Sequence, residues 1–489
     1  MGIRWALIFV AACGGGGGSS SGDDDGQPVP DAAVPSAVCT EPALADTSGA
    51  VVVGDGTAAS CTMAALQTAA SAGGAITFAC GADPVTITMT APIMVTKETV
   101  IDGGGKVTLS GGGTSRILYL DSDYNTKTPR LTVQRLSFVK GKSPATGEDT
   151  AQGGGAIYRD GGSLTVNQCA FDDNHGPTTG QDTAGGAIYG FGGGDIVIVK
   201  STFTNNSCSD GGAVGSLNGD LSIIDSTFDG NTATGNGGNP GNGGCGGTIY
   251  QDGGKEMSSL CGVTITHSTA GAIGGGVFRV SNDHTGSFAM DRSVVDGGTV
   301  MGQGNAGGLY LEGLALTITA SSITHNTAYN NGGIWISTDT VTIINTTIAE
   351  NTASGTNGGG IWLGHSPTGT ITNSTIANNH STAPGNIAGA IFGDGLTLLN
   401  TVISGNTAQY TPGCDDTRID GSGNLQFPSG ALCTMSPTIA DPMLGTIDPT
   451  TYTLAPAAGS PAKMLGRNCP ATDQLGNPRG DACTAGAIE

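Results

Sequence analysis

Positive charge is scarce in this sequence: Lys and Arg together number 18 of 489 residues, scattered along the chain, against 40 Asp and Glu, for a formal charge of −22. Binding a phosphate backbone needs a basic stripe, so a nucleic-acid partner is excluded at the outset. Charged residues of both signs make up 12% of the chain, about half the usual share. Thr, Ser and Asn supply the polar surface instead, a balance that suits an extracellular sheet protein. Long apolar runs are missing as well, and no stretch approaches the length of a membrane-spanning helix. Aromatic residues are only 5%, which makes the places where they recur informative.

Glycine is abundant, 86 residues, a level that would suggest disorder if it were aperiodic. It is periodic. GGAIY (Gly154 to Tyr158) returns as GGAIY (Gly185 to Tyr189), GGAV (Gly211 to Val214), GGTIY (Gly246 to Tyr250) and GGVF (Gly275 to Phe278). It continues as GGLY (Gly307 to Tyr310), GGIW (Gly332 to Trp335), GGIW (Gly359 to Trp362) and GAIF (Gly389 to Phe392). Successive aromatics lie 31, 61, 28, 32, 25, 27 and 30 residues apart, the 61 spanning the copy without one. A period in that range marks a solenoid whose repeats bury their apolar sides against one another.

After each aromatic come a polar turn and an alternating run such as Leu164-Thr165-Val166, Ile196-Val197-Ile198 or Val341-Thr342-Ile343, which reads as strand. A third segment places Phe or Ile three residues before Asn, giving Asn174, Asn206, Asn231, Asn326, Asn351, Asn379 and Asn406. Three short strands per repeat describe one coil of a parallel β-helix. About eleven coils stacked at strand spacing make a rod near 50 Å long. Asn tolerates the left-handed backbone of a sharp corner, and its amide both donates and accepts, so these residues are expected to form a structural ladder along the rod. The glycine pairs relieve crowding where the chain enters the first strand. Loop length varies most between the Asn and the next glycine pair, which gathers insertions along one edge of the rod.

The N-terminus carries Arg4, a short apolar stretch and Val10-Ala11-Ala12-Cys13, the small-residue pattern of a signal peptide ending on cysteine. It resembles a bacterial lipobox, which makes Cys13 the expected lipidation site and a membrane an expected partner. A Gly, Ser, Asp and Pro-rich tether follows to residue 38. Without Cys13, eleven of the twelve cysteines remain, read as disulfides plus one unpaired thiol. The expected pairs are Cys61 with Cys80, Cys245 with Cys261, Cys414 with Cys433 and Cys469 with Cys483, with no partner assigned to Cys39. No cysteine shows metal-ligand spacing with His, so no metal and no cofactor are expected.

Open solenoid ends need covering. Ser60 to Ala70 reads as an amphipathic helix, capped by Ser or Thr and stopped by Gly73-Gly74, that plugs the first coil. The expected organisation is a signal peptide and lipobox at 1–13, a linker at 14–38, and an N-terminal cap with first coils at 39–110. Coils follow over 111–433, then an irregular, disulfide-containing C-terminal cap over 434–489.

Two resemblances follow from these motifs. Over roughly residues 138 to 410, the alternation of glycine pair and Phe-x-x-Asn resembles the repeats of polymorphic outer-membrane proteins, bacterial surface autotransporters with β-helical passengers. The ends are similar to choice-of-anchor Q type surface proteins. They share Gly56-Thr57, Ser60-Cys61-Thr62, Phe78-Ala79-Cys80-Gly81, Ile101-Asp102-Gly103-Gly104, and a tail from Cys469-Pro470-Ala471-Thr472-Asp473-Gln474 to Gly486-Ala487-Ile488-Glu489. The second resemblance implies an all-β, single-stranded, right-handed parallel β-helix at the cell surface. The chain departs from it at Lys463-Met464-Leu465-Gly466 and at Thr484. It also lacks the anchor that often follows the last motif, which favours Cys13 as the attachment and leaves no autotransporter barrel.

β-Helices also house polysaccharide-cleaving enzymes, so catalysis has to be judged from residues. Carboxylate candidates are Asp172, Asp173, Asp195, Asp220, Asp225, Asp229, Asp415 and Asp416, and basic ones are Lys200, Lys255, Arg279 and Arg292. None recurs in a catalytic spacing, and His175, His325, His365 and His380 read as solvated turn residues. Aromatics give a better clue. In the first strand an aliphatic precedes the ring at Ile157, Ile188, Ile249, Val277, Leu309, Ile334, Ile361 and Ile391, and one follows it at Leu311, Ile336 and Leu363. Alternation points those flanks inward and the rings outward, so Tyr310, Trp335, Trp362 and Phe392 form an outer stripe, with Trp335 and Trp362 partly exposed and within stacking distance. Arg159 and Arg279 also follow a ring, and on this reading they leave the strand early. Such platforms suit sugar rings and protein anchors. The expected function is a lipid-anchored, monomeric surface adhesin or glycan-binding structural protein, whose partner is an extracellular glycan or another surface protein. The alternative is a lyase or hydrolase acting on an acidic polysaccharide.

Overall fold

A computed structural model describes residues 39–145, 151–356, 358–385, 387–415 and 419–489. Cys13, the 14–38 linker and Asp416 lie outside the described residues. From Cys39 onward the chain winds into a parallel β-solenoid of about 12 turns, which at ~4.8 Å per turn gives a stack of about 55 Å.

Register follows the sequence repeat. Ile157 lies opposite Ile188, Ile188 opposite Val214, Ile249 opposite Val277, Leu309 opposite Ile334 and Ile361 opposite Ile391. In the second strands Ile198, Ile223, Leu260, Met290, Ile318, Ile343, Ile371 and Leu398 form one column. In the third, Phe138, Phe171, Phe203 and Phe228 stack face to face at 4.8, 4.6 and 4.6 Å. Ile265, Val295, Ile323, Ile348, Ile376 and Ile403 continue that column. All are buried, each contributing about 1.5–3 kcal/mol of apolar burial.

Amide ladders run between the coils. Asn174 Nδ2 donates to Asn206 Oδ1 at 2.9 Å and Asn206 Nδ2 to Asn231 Oδ1 at 3.0 Å. The steps Asn326 to Asn351, Asn351 to Asn379 and Asn379 to Asn406 are each 2.9 Å. The left-handed corner falls one residue earlier than expected: Asp173, Asn205, His267, His325, Glu350 and Asn378 carry positive φ, and the ladder asparagines do not. Their role is therefore hydrogen bonding in a buried row, and turn geometry belongs to the residue before. The row is interrupted where Ser268 and Gly298 occupy the Asn position, and Ser268 Oγ is buried without a partner.

A fourth strand was not anticipated. Ser207–Cys208, Thr232–Ala233, Thr269–Ala270, Thr299–Val300, Thr327–Asn330, Thr352–Thr356 and His380–Ser381 form a separate seven-stranded parallel sheet. Its inward column is Ala233, Ala270, Val300 and Ala328. The Thr-Ala dipeptide that follows the Asn position was the available signal. From there the chain enters the glycine pairs, where coils approach most closely. A Cβ on Gly247 would sit 2.0 Å from Gly275 O, and one on Gly275 2.0 Å from Gly307 O.

At the front, the helix Met63–Ala72 begins at Thr62, whose side chain accepts from Ala65 N at 3.2 Å, and ends at Gly73. It buries Leu66, Ala69 and Ala70 in the main core. The C-terminal segment does not simply cover the last coil. After Thr438 pairs with Leu425, the chain folds back along the corner between second and third strands. Asn400 Nδ2 donates to Arg467 O (2.8 Å), Asn373 Nδ2 to Thr484 O (3.2 Å), Asn345 Nδ2 to Thr472 O (2.8 Å), and Gln474 Nε2 to Ser321 O (2.9 Å). The N-terminal segment occupies the same corner on earlier coils. Ala45 exchanges hydrogen bonds with the Gln134 side chain, Pro42 O accepts from Asn167, and Glu41 pairs with Lys200 at 2.5 Å.

Cystines tie both straps and the regions beside them. Cys61 is bonded to Cys80, Cys414 to Cys433 and Cys469 to Cys483, with Cα separations of 5.6, 5.0 and 6.3 Å. The expected Cys245–Cys261 bond is replaced by Cys39–Cys261, which closes a 222-residue separation. Cys245 points under the aromatic face, away from the corner where Cys261 meets the strap. Among the described residues three thiols, not one, stay unpaired: Cys169, Cys208 and Cys245 are all buried. Burial pushes Cys169 up to about 12, so it is an inert thiol.

Asp473 organises the C-terminal strap. Its carboxylate accepts from Leu475 N, Asn477 N, Asn477 Nδ2 and Glu489 N at 2.8–3.0 Å. Burial pushes this carboxyl up, but those donors outweigh it and hold it below the usual carboxylate range. A depressed native pKa adds stability that is present above the unfolded value and lost as pH falls through the native one. Acidification through that window is expected to raise hydrogen exchange in residues 466–489. Asp473→Ala should do the same at neutral pH, at a local cost of about 2–4 kcal/mol.

Candidate functional site

The first strand of each coil separates two environments. Ile157, Ile188, Val214, Ile249, Val277, Leu309, Ile334, Ile361 and Ile391 belong to the main core, as do Leu311, Ile336 and Leu363. The intervening rings form a second cluster on the outer side, where Tyr158, Tyr189, Tyr250 and Phe278 join Ala184, Leu217 and Cys245. The rings therefore point away from the core. Tyr250, Phe278, Tyr310 and Trp335 form a continuous parallel stack with centroid steps of 5.3, 5.2 and 4.1 Å.

Loops divide this face into a covered and an open half. Over the earlier coils, insertions after the Asn corner fold across the rings. Tyr189 OH donates to Asp182 O at 2.6 Å, Tyr250 OH donates to Asp182 Oδ1 at 2.6 Å, and Asn239 Nδ2 donates to Tyr250 OH at 2.9 Å and to Asp252 Oδ2 at 2.6 Å. Burial, with Asp252, Asp210 and Asp182 nearby, pushes the Tyr250 hydroxyl well above its ordinary value. Such a phenol keeps its proton and is sealed from solvent, so this hub holds the loops together and offers no base to a polymeric substrate.

Arg159 and Arg279 do not leave the strand early, as the outward reading required. Arg159 takes the register position between Leu120 and Gly190, and Arg279 the one between Gln251 and Leu311. Both point inward and are buried at 0% and 1% exposure. Arg159 reaches turn carbonyls instead of a carboxylate: Gly162 O at 2.9 Å, Gly192 O and Gly194 O at 3.2 Å. Arg279 bonds Glu312 O and Glu256 O. Burial lowers each guanidinium to about 10. They pin the turns after the first strands, and neither faces a substrate.

The open half comprises Tyr310, Trp335, Trp362 and Phe392, all half-buried. Trp335 and Trp362 are register partners, but the expected indole stack is absent among the described ring contacts. Trp335 stacks on Tyr310 instead, and Trp362 meets Phe392 edge-on at 5.3 Å and 75°. A Cβ on Gly364 would lie 2.8 Å from Trp335 Cζ2, so the Trp335 indole lies over this exposed glycine two residues past Trp362. The sequence reading missed Gly364, although a glycine directly after Trp362-Leu363 was its signal. Around the rings, Tyr310 OH donates to Glu312 Oε1 at 2.7 Å, Ser337 Oγ is 3.0 Å from His365 Nδ1, and Asp339 Oδ1 is 3.8 Å from His365 Nε2.

The carboxylate candidates are distributed, not convergent. Asp195 pairs with Arg130 at 2.9 Å, Asp220 accepts from Met257 N, Asp225 lies beside Glu41 and Lys200, and Asp415 accepts from Gly393 N. Lys200 is held by the N-terminal strap, and Lys255 lies exposed in the turn after Tyr250. Arg292 contacts Asp291 and the Cys39–Cys261 sulfurs. The third strands do carry an order that sequence reading missed. Asp172, Asp229 and Asp296 each accept from a Thr on the next coil at 2.7 Å: Thr204, Thr266 and Thr324. His267 Nδ1 joins Asp229 at 2.7 Å and His325 Nδ1 joins Asp296 at 2.6 Å, while His175 meets Asp173 within its own turn at 2.7 Å. The separations of 38 and 29 residues differ because coil lengths differ, which hid the pattern. His380 bonds Thr407 Oγ1 at 2.8 Å.

No protein-family model and no curated protein matches the chain. Among solved structures it is similar to PfbA, a surface adhesin of Streptococcus pneumoniae, at 12% identity and a TM-score of 0.41, covering 83% of this chain and 100% of that one. It is also similar to the A-module of the Azotobacter vinelandii mannuronan C-5 epimerase AlgE6, at 12% identity and a TM-score of 0.35, covering 78% and 98%. A shared fold does not carry function, which is read from side chains.

Proposed function

We propose that this chain is an exported, lipid-anchored surface protein of the adhesin type that binds extracellular glycan on the outer face of its later coils. The observation that carries the reading is the row of half-buried outward rings Tyr310, Trp335, Trp362 and Phe392, of which Tyr310 and Trp335 continue a buried stack that fixes their geometry. Rigid rings held by a ladder lose little freedom on contact, and flat apolar faces match sugar rings. Four disulfides support export to an oxidising compartment, and the Cys13 lipobox supports anchoring.

The test is a glycan panel probed with the wild-type chain, Trp335→Ala and Trp362→Ala. Each substitution is expected to weaken retention by about 2 kcal/mol, near 30-fold, without shifting the melting temperature by more than a few degrees. Products are analysed in the same incubations. Unsaturated or shortened chains would overturn the binding reading in favour of a lyase or hydrolase.

A further inference from the structure

We infer that the glycan accepted by this face carries free amines, as unacetylated amino-sugar polymers do, and that polyuronates are refused. This rests on the reading of the aromatic surface as a glycan site and adds the charge of its ligand.

The distribution of cations is the first support. Of the 18 Lys and Arg, none lies between Arg292 and Arg418, whereas that stretch contains Asp296, Glu312, Asp339, Glu350, Asp394, Asp415 and Asp416. The coils that expose the rings thus contribute no permanent positive charge of their own, and the Arg467 and Arg479 that the C-terminal strap brings to them lie at the corner between second and third strands, not on the ring face. Register supplies the second. Residues two beyond the rings share their outward side. Asp121 and Asp160 stand there on neighbouring early coils, Asp252 lies opposite Leu217, and Glu312 lies opposite Ser337. Asp394 holds the same place two residues after Phe392. Every ionisable side chain at these positions is acidic. In the open half, Glu312 gives one oxygen to Tyr310, Asp394 accepts from Ser366 Oγ, and the Asp339 side chain is 56% exposed. An ammonium group on a sugar stacked against Trp335 meets these carboxylates and the ring face together. A uronate in the same place meets like charge from them and from a protein of net charge −22.

The probes are hexamers of glucosamine, N-acetylglucosamine and galacturonate, titrated into the full chain by calorimetry. Short chains are used because a long polycation would collect anywhere on an acidic protein. At low salt the glucosamine hexamer is expected to bind about tenfold tighter than its acetylated counterpart, with the preference shrinking as salt rises, and the galacturonate hexamer to show no binding. Glu312→Gln combined with Asp339→Asn should reduce the preference to about twofold, while Asp172→Asn, on the third-strand face, leaves it in place. Equal binding of the free and acetylated hexamers, abolished by Trp335→Ala, would overturn the amine inference and leave the glycan reading standing. Binding of galacturonate would overturn it as well. If no hexamer binds, or if binding survives both Trp335→Ala and Trp362→Ala, the glycan reading fails and the inference with it.

Discussion

Gly275→Ala is expected to abolish the cooperative unfolding transition of the central coils, or to prevent soluble accumulation altogether. The new methyl carbon would sit 2.0 Å from Gly307 O and 2.9 Å from Thr299 N. Both are backbone atoms of neighbouring coils that already hydrogen-bond along the rod, so neither can retreat without opening the stack. Overpacking of this kind costs about 3 kcal/mol or more. Gly459→Ala is the matched control, since a Cβ there meets nothing within 4 Å, and its effect should stay within about 0.5 kcal/mol. Thermal melts of the two variants beside the wild type decide the point.

Asn351→Leu carries the next largest effect. Asn351 Oδ1 accepts from Asn326 N at 3.0 Å and from Asn326 Nδ2 at 2.9 Å, and its own Nδ2 donates to Ile323 O and Asn379 Oδ1, each at 2.9 Å. Leucine has similar volume but leaves those buried partners unsatisfied, for a cost of about 4–6 kcal/mol. In a linear stack the damage is local. Hydrogen exchange should therefore accelerate across the coils of Asn326, Asn351 and Asn379 and stay slow at Phe171 and Phe203. A loss below about 1 kcal/mol would show that the amide row contributes little.

The fold was legible because each coil writes its own copy of the same instructions. A glycine pair before Ile-Tyr or Ile-Trp, an alternating run and a Phe-x-x-Asn recur often enough for the parallel stack to be read directly, and strand alternation sent the rings outward. What escaped were features written once or hidden by variable coil length. The straps at 39–45 and 466–489 have no period, and their place is set by partners such as Gln134, Asn167, Asn373 and Asn400 that lie far away in sequence. Cys261 was assigned to its sequence neighbour Cys245, whereas its partner Cys39 lies 222 residues away. Arg159 and Arg279 were judged by charge, yet a guanidinium can stay in a core position when turn carbonyls surround it. Gly364 directly follows Trp362-Leu363, but its effect, giving room to an indole on the preceding coil, shows only once the coils are in register.

The most direct test uses the tryptophans themselves. The chain has three, Trp5, Trp335 and Trp362, so a Trp5→Phe variant leaves only the two on the open face to fluoresce. Titration with the glycan retained most strongly in the panel should give a saturable change in intrinsic emission and protect both indoles from acrylamide quenching. A glycan that binds the chain while emission and quenching stay unchanged would place its contact elsewhere and contradict the account.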